Sequence, residues 1–215
     1  MDNSNPTQPE KQTLRSGWLE LIDRFSYDWF CTFTFNVKVT PHGKLEPQYT
    51  DGLFRRWFRL INEENFGRRF REKGVGLHCF RALEYHLTGV IHYHALIGGL
   101  PRYHTLTDDD KRAVRMAAER LWCNLPGLPT LPYYALKKGQ AKETLHYGKV
   151  TGWCSIFPFK PGNGAKQYLT KYVTKGGDIE AFIPLSRLPQ DRSGLGVLLA
   201  DASDQIKKTF LPERS

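Results

Sequence analysis

The sequence predicts an α+β domain in which a central antiparallel sheet is flanked by helices. Segments whose apolar residues recur at helical spacing are interspersed with segments of period two, without the regular order of a parallel βαβ sheet. Two period-two segments, residues 77–86 and 90–97, are separated by a three-residue turn that favours antiparallel pairing. A chain of 215 residues with 40% hydrophobic content can bury one substantial core.

The N-terminal part of the chain is expected to hold an arm, a helix and a strand. Residues 1–12 are polar and contain two prolines, so we expect a disordered arm. Apolar residues then recur at helical spacing from Thr13 to Phe25. The run FCTFTFN, which ends at Asn36, alternates between aromatic residues and threonine and predicts a strand.

A second helix is predicted from Thr50, as its N-terminal cap, to Phe66, where Gly67 ends it. Its outward side and the segment after it are rich in arginine, which favours contacts with phosphates. These candidate DNA-binding residues are Arg55, Arg56, Arg59, Arg68 and Arg69, with Arg71 and Lys73 beside them.

The predicted hairpin of residues 77–97 carries the residues that suggest a metal site. His92 and His94 are two residues apart, so they share one face of their strand. A three-residue loop at residues 87–89 would place Glu84 directly opposite His92. Two imidazoles and a carboxylate on one rigid face are a set of ligands for a metal ion with open positions.

Further helices and strands are predicted between the hairpin and residue 159. Thr107 followed by three aspartates indicates a helix start, and the apolar pattern continues to about Asn124. Residues 126–132 read as a turn region, and the lysine-rich residues 137–149 as an exposed loop or a hairpin. Residues 153–159 alternate and predict another strand.

The segment QYLTKYVTK, which ends at Lys175, predicts a helix with tyrosines and lysines on one side. At 100° per residue, Tyr168, Lys171, Tyr172 and Lys175 fall within an arc of roughly 100°. An apolar stripe that includes Leu169 lies beside this arc. By itself the pattern also fits an amphipathic helix with solvated lysines.

Taken together, these motifs resemble the HUH superfamily of enzymes that nick and join single-stranded DNA. FCTFTFN is similar to its first motif, IHYHAL to its second and YLTKYVTK to its third, in the two-tyrosine form of phage gene A-type replication initiators. The resemblance implies an RRM-like, five-stranded antiparallel sheet with the first motif and the histidines on central strands. It also implies that the tyrosine helix packs over the sheet face that bears the histidines.

The resemblance implies a chemistry for each motif. His92, His94 and Glu84 would hold one divalent cation, Mg²⁺ or Mn²⁺, although the ligand types also suit Zn²⁺. His86 lies on the same strand face and is an alternative third ligand to Glu84. Tyr168 or Tyr172 would attack the phosphate and form a 5′-phosphotyrosine bond, and Lys171 and Lys175 would stabilise the transition state or lower the pKa of the tyrosine.

Composition bounds the partners and the compartment. A net charge of +9 favours a polyanionic partner, and 13% aromatic residues provide surfaces on which unpaired bases can stack. The four cysteines are scattered, so we expect core residues in a reducing compartment rather than a zinc or disulfide framework. With no signal peptide or long apolar run, we expect a cytoplasmic protein without a membrane partner.

The implied domain organisation is an arm at residues 1–12, an endonuclease domain at residues 13–177 and a C-terminal extension of unknown role at residues 178–215. The run GNGAK lacks the spacing of a phosphate-binding loop for ATP. We therefore expect a host helicase to separate the strands of a replication origin on plasmid or viral DNA.

Three other functions fit parts of the pattern. A transposase of the same superfamily shares all three motifs and differs in its DNA site. A metal hydrolase that uses zinc-bound water would not need the tyrosines. A noncatalytic domain that binds single-stranded nucleic acid would make the histidines incidental.

Overall fold

The structure is a computed structural model that describes residues 7–40, 45–85, 90–135, 142–174 and 178–188, without the side chains of residues 172–174. Its described part has four α-helices and seven strands. The helices are α1 (Gln8–Asp23), α2 (Pro47–Phe66), α3 (Asp108–Cys123) and α4 (Ala165–Thr174). The strands are β1 (Trp29–Phe35), β2 (His78–Tyr85), β3 (Ile91–Gly98), β4 (Leu131–Ala135), β5 (Thr144–Gly148), β6 (Thr151–Pro158) and β7 (Ile179–Phe182).

Five of the strands form an antiparallel sheet in the order β6-β1-β3-β2-β7, which confirms the predicted fold class. The histidine strand β3 is the central strand, as expected. β1 is its neighbour rather than the centre of the sheet. β4 and β5 form a separate two-stranded sheet.

The side of the sheet that α2 and α3 cover, here called the aromatic face, holds the larger core. On β1 the alternate residues Trp29, Cys31, Phe33 and Phe35 are all buried there, because period-two alternation sends them to one side. Trp57 of α2 and Trp122 of α3 close over them, with ring centroids 4.7 Å and 5.0 Å from that of Phe33. Three of the four cysteines are buried, as predicted, and all four are free thiols.

The other side of the sheet, here called the histidine face, is covered in part by α1 and α4. Phe80 and Leu96 of the sheet pack there with Ile22 of α1 and Leu169 of α4, all of them fully buried. Lys166 of α4 forms an ion pair with Asp23 at the end of α1, at 2.7 Å. The two helices thus support each other over one half of this face.

Two helix starts differ from the sequence-based prediction. α1 begins at Gln8, so residues 8–12 are helical where we expected a disordered arm. The Glu10 carboxylate accepts hydrogen bonds from the Thr7 backbone N–H at 2.6 Å and the Thr7 hydroxyl at 2.9 Å, which stabilises this start. α2 begins at Pro47, because proline suits the first turn of a helix. Thr50 is therefore not a cap but a buried residue of the helix, in contact with the Tyr93 hydroxyl at 2.8 Å.

The C-terminal half contains two strands that the sequence did not predict. β4 occupies the end of the segment that we expected to be a turn region, and it pairs with β5 in a hairpin. β7 pairs with β2 as the fifth strand, so the sheet continues past the domain boundary drawn at residue 177. Residues 189–215 of the C-terminal extension lie outside the described residues. No helix in the described ranges has the length and apolar character needed to span a membrane.

Candidate functional site

The β2–β3 hairpin places Glu84, His92 and His94 on the histidine face. Glu84 is the direct cross-strand partner of His92, and Ala82 is that of His94, which is the register that an odd-length loop predicts. His94 is buried at 6% exposure, whereas His92 and Glu84 are half-buried. The loop at residues 86–89, including the alternative ligand His86, lies outside the described residues.

His94 contacts a partner at each ring nitrogen. Its Nε2 lies 2.8 Å from the Glu84 Oε2, and its Nδ1 lies 3.1 Å from the Oγ1 of Thr32 on β1. The ring of Phe30, also on β1, is nearly parallel to the imidazole, with centroids 6.2 Å apart. A neutral imidazole donates from one nitrogen and accepts at the other, so these contacts fix the plane of the ring.

The environment of His94 favours its neutral form. Burial holds the pKa of His94 below its usual range, and the charges of His92 and Lys171 lower that pKa further, while the contact with Glu84 opposes the shift. A neutral imidazole keeps a lone pair on one nitrogen, and this is the form that binds metal ions.

The tyrosine helix α4 lies against the same face. The ring centroid of Tyr168 is 5.0 Å from that of His94, with the rings nearly perpendicular, and 6.0 Å from that of Phe30. Buried Leu169 anchors the helix, so its neighbour Tyr168 is held at the margin of the core, where it is half-buried. The sequence prediction that this helix packs over the histidines is confirmed for Tyr168.

Lys171 follows Tyr168 by one helical turn and contacts its ring. The Lys171 Nζ lies 3.4 Å from the Tyr168 ring centroid, which is a cation–π contact. The charge of Lys171 is thus held beside both the tyrosine and His94. The side chain of Tyr172 and the whole of Lys175, the other two residues of the predicted arc, lie outside the described residues.

Glu84 and the two histidines fit a divalent cation in their donor chemistry, since imidazole nitrogen and carboxylate oxygen bind Mn²⁺ and Zn²⁺, and oxygen also binds Mg²⁺. Among the described residues, no three His, Cys, Asp or Glu side chains are already arranged to hold a metal ion. His94 and Glu84 are joined by a direct hydrogen bond. Its 2.8 Å length is close to the roughly 3 Å between neighbouring ligands of an octahedral ion, so a small separation would admit a cation.

Three of the predicted DNA-binding arginines lie away from this site. Arg55, Arg56 and Arg59 belong to α2, which covers the opposite, aromatic face of the sheet. Arg55 forms ion pairs with Asp51 and Glu180, and Arg59 forms one with a glutamate on its own helix. The charges of Arg55 and Arg59 are therefore partly compensated. Arg68 and Arg69 are exposed beyond the end of α2, where Arg69 pairs with a glutamate at 2.5 Å.

Sequence reasoning missed Thr32 and Phe30 as parts of the site. We interpreted the first motif as a core strand, which is true of its alternate residues on the aromatic face. The signal was present in the pattern, because Phe30, Thr32 and Thr34 share the opposite parity. What was missing was the pairing of Thr32 with His94 across β1 and β3.

Comparison with known proteins does not identify a family. No protein-family model, no curated protein and no solved structure matches this chain. The function must therefore be argued from the motifs and from the arrangement of Tyr168, His94 and Glu84 on the histidine face.

Proposed function

We propose that this chain is a metal-dependent enzyme of the HUH superfamily that nicks and rejoins single-stranded DNA to initiate rolling-circle replication. One observation carries the proposal: Tyr168, in the third motif, contacts His94, in the second motif, at 5.0 Å between ring centroids. The first motif joins them through Thr32 and Phe30. Three short motifs, far apart in sequence, thus share one sheet face with Glu84.

In the proposed reaction, the hydroxyl of Tyr168 or Tyr172 attacks a backbone phosphorus. A tyrosine–phosphorus bond forms as the bond from phosphorus to the 3′ oxygen breaks, the phenol loses its proton and the 3′ oxygen takes one up. The products are a 5′-phosphotyrosine and a free 3′-hydroxyl. The reverse attack by a 3′-hydroxyl rejoins the strand.

The surrounding residues support this chemistry. A divalent cation held by His92, His94 and Glu84 would neutralise charge on the phosphate oxygens. Lys171 carries a positive charge against the Tyr168 ring, in a position to stabilise the phenolate that attacks. Thr32 and Phe30 hold the plane of the His94 ring, so the orientation of that ligand is set before DNA arrives.

The direct test is a covalent adduct. The full chain is incubated with labelled single strands from its own replicon and Mn²⁺, and the products are denatured and separated by mass. We expect labelled protein that survives denaturation and disappears when Mn²⁺ is omitted.

The matched controls separate chemistry from binding. His92→Ala/His94→Ala should abolish the adduct while strand binding is kept, because the variant retains every lysine and arginine that could hold the phosphates. Tyr85→Phe, which alters an exposed tyrosine on β2, should leave the adduct unchanged. Cleavage without covalent attachment would instead indicate a metal hydrolase, and equal nicking by the double histidine variant would remove the metal site from the proposal.

A noncatalytic single-strand binding domain is a second candidate, favoured by the direct hydrogen bond between His94 and Glu84. That bond satisfies both groups without a metal. The two functions predict different responses to Mn²⁺ in the absence of DNA, because an ion that binds the native state must raise the Tm. The proposed enzyme predicts a Tm increase that the double histidine variant loses, and the binding domain predicts none.

A further inference from the structure

Strand β6, at one edge of the sheet, carries two exposed aromatic rings. Trp153 is 62% exposed and Phe157 is 56% exposed. Phe157 is the cross-strand partner of Phe30, whose ring stacks on His94, so it belongs to the histidine face. Trp153 lies at the register shift of the β1–β6 pairing, where its carbonyl accepts a hydrogen bond at 2.7 Å from the hydroxyl of Thr34, which shares the parity of Phe30 and Thr32. These rings lie beyond the part of that face that the core of α1 and α4 covers.

A basic cleft adjoins Trp153. It has a volume of about 520 Å³ and lies between β6, the end of β1 and the β4–β5 hairpin. Among the described residues, Lys38 and Lys149 line it and no carboxylate does, while Asn36 and Thr34 add polar groups. Such a lining matches an anionic ligand that also offers flat apolar surfaces.

The cleft lies next to the candidate site along β1. Thr34, which lines the cleft, stands two residues from Thr32, which contacts His94. Two residues along a strand span about 7 Å. A polymer bound across His94 therefore enters the cleft if it extends only a few ångströms further along β1.

We propose that the edge formed by Trp153, Phe157, Lys38 and Lys149, here called the β6 track, binds the single-stranded DNA on which the site acts. The choice of DNA as the polymer rests on the proposed function. Bases stack on Trp153 and Phe157, and the two lysines contact phosphates. Trp153 and Phe157 are four residues apart, roughly 13 Å along the backbone of a strand, so they contact different bases of one DNA strand.

The alternative occupants fit this edge less well. A duplex hides its base faces and has nothing to stack on the two rings. A second copy of the chain would carry the same positive charge to the cleft, and strand addition at β6 would compete with Glu119, whose carboxylate accepts from the Ile156 N–H at 2.7 Å. An unpaired nucleic acid strand supplies both the flat rings and the negative charge.

The tryptophans make this track directly observable. All five lie in the described part of the chain, and the four others are between 0% and 7% exposed. Trp153 therefore dominates any change in fluorescence caused by a surface ligand. The probe is oligo(dT) of about 20 nucleotides, added to the full chain at low salt with EDTA so that no nicking occurs.

We expect oligo(dT) to change the tryptophan emission and to protect it from quenching by acrylamide, and Trp153→Phe to lose both effects. Trp153→Ala should weaken oligo(dT) binding about tenfold, as loss of a stacked base does. Lys38→Gln and Lys149→Gln should each lower the slope of log affinity against log salt by about 0.7. The controls Tyr147→Ala, on the exposed side of the β4–β5 hairpin, and Arg112→Gln, at an exposed position of α3, should bind like the parent chain.

Three results would overturn the track: an emission change that persists in Trp153→Phe, equal competition by duplex DNA of the same length, or protection of Trp153 by raised protein concentration without DNA. The adduct assay separates this inference from the proposed function. A normal adduct with no response of Trp153 refutes the track alone, whereas a full response of Trp153 with no adduct in Mn²⁺ refutes the nicking reaction alone.

Discussion

The two faces of the sheet are made from alternate residues of the same strands, yet they differ in character. On β1, Phe33 faces a set of perpendicular and tilted rings, whereas its neighbour Thr32 faces an imidazole. The aromatic face is closed by two helices, and the rings of Phe54, Trp57 and Trp122 surround Phe33. The histidine face is closed over only part of its area and leaves Glu84, His92 and Tyr168 half-buried.

This difference suggests a division of labour within each strand. Burial of large rings supplies the free energy that keeps polar groups in fixed positions on the other side. A substitution on the aromatic face should therefore act on stability, and one on the histidine face on chemistry. The predictions below test this division, beginning with the largest expected effect.

Phe33→Ala should destabilise the fold by about 3 to 5 kcal/mol, because it removes a fully buried ring from the centre of the aromatic face. Urea unfolding followed by circular dichroism measures the change. Thr34→Val, on the same strand and the opposite face, is the matched control and should cost about 1 kcal/mol or less. Similar losses for both variants would contradict the division.

The histidine face should also make the fold sensitive to acid. Burial lowers the pKa of His78 from 6.5 to about 4, and the charge of Arg187 acts in the same direction, while the Ser26 carbonyl opposes it. Since the native pKa lies below the unfolded value, the stability that His78 contributes is present above about pH 6.5 and is lost as pH falls towards 4.

Between pH 7 and pH 4.5, the parent chain should thus lose about 2 kcal/mol more of its free energy of unfolding than His78→Gln does. Urea unfolding at the two pH values measures this difference. If His78→Gln keeps the parent's pH dependence, protonation of this face does not limit stability.

The smallest effect on stability, with a large effect on chemistry, is expected for Thr32→Val. Loss of one hydrogen bond to His94 should cost about 1 kcal/mol, but it frees the imidazole to rotate and should lower Mn²⁺ affinity and adduct formation by about 10-fold or more. Thr32→Ser keeps the hydroxyl and should restore both. Isothermal titration calorimetry measures the Mn²⁺ affinity, and the adduct assay measures the activity. Full activity of Thr32→Val would show that Thr32 does not position His94.

The local parts of this site were predictable from the sequence, and the nonlocal parts were not. The register of Glu84 and His92 follows from alternation and loop length, and the helical arc of Tyr168 and Lys171 follows from periodicity. The pairing of Thr32 with His94 joins strands that are separated by α2 and β2, so no local pattern encodes it. The chain connection, rather than the helix pattern, likewise determines which side of the sheet α2 covers. It therefore also determines the position of Arg55.

The extra strand β7 was missed for a different reason. It has four residues, Ile179–Phe182, too few for a period-two pattern to stand out. It pairs with β2 beside Arg81, which is buried against the ring of Phe182 and forms ion pairs with Asp51 and Glu180. Partners from three separate segments meet in this network, so only the folded chain reveals it.

The central claim is that the nucleophile lies on α4, over the histidine face. The most direct measurement is adduct formation with labelled single-stranded DNA and Mn²⁺ by Tyr168→Phe, Tyr172→Phe and the double variant, with the position of the adduct mapped by mass spectrometry. We predict adducts at Tyr168 or Tyr172 in the parent chain, some adduct in at least one single variant, and none in the double variant. An adduct of parental yield in the double variant, or one mapped to a tyrosine outside α4, would contradict the claim.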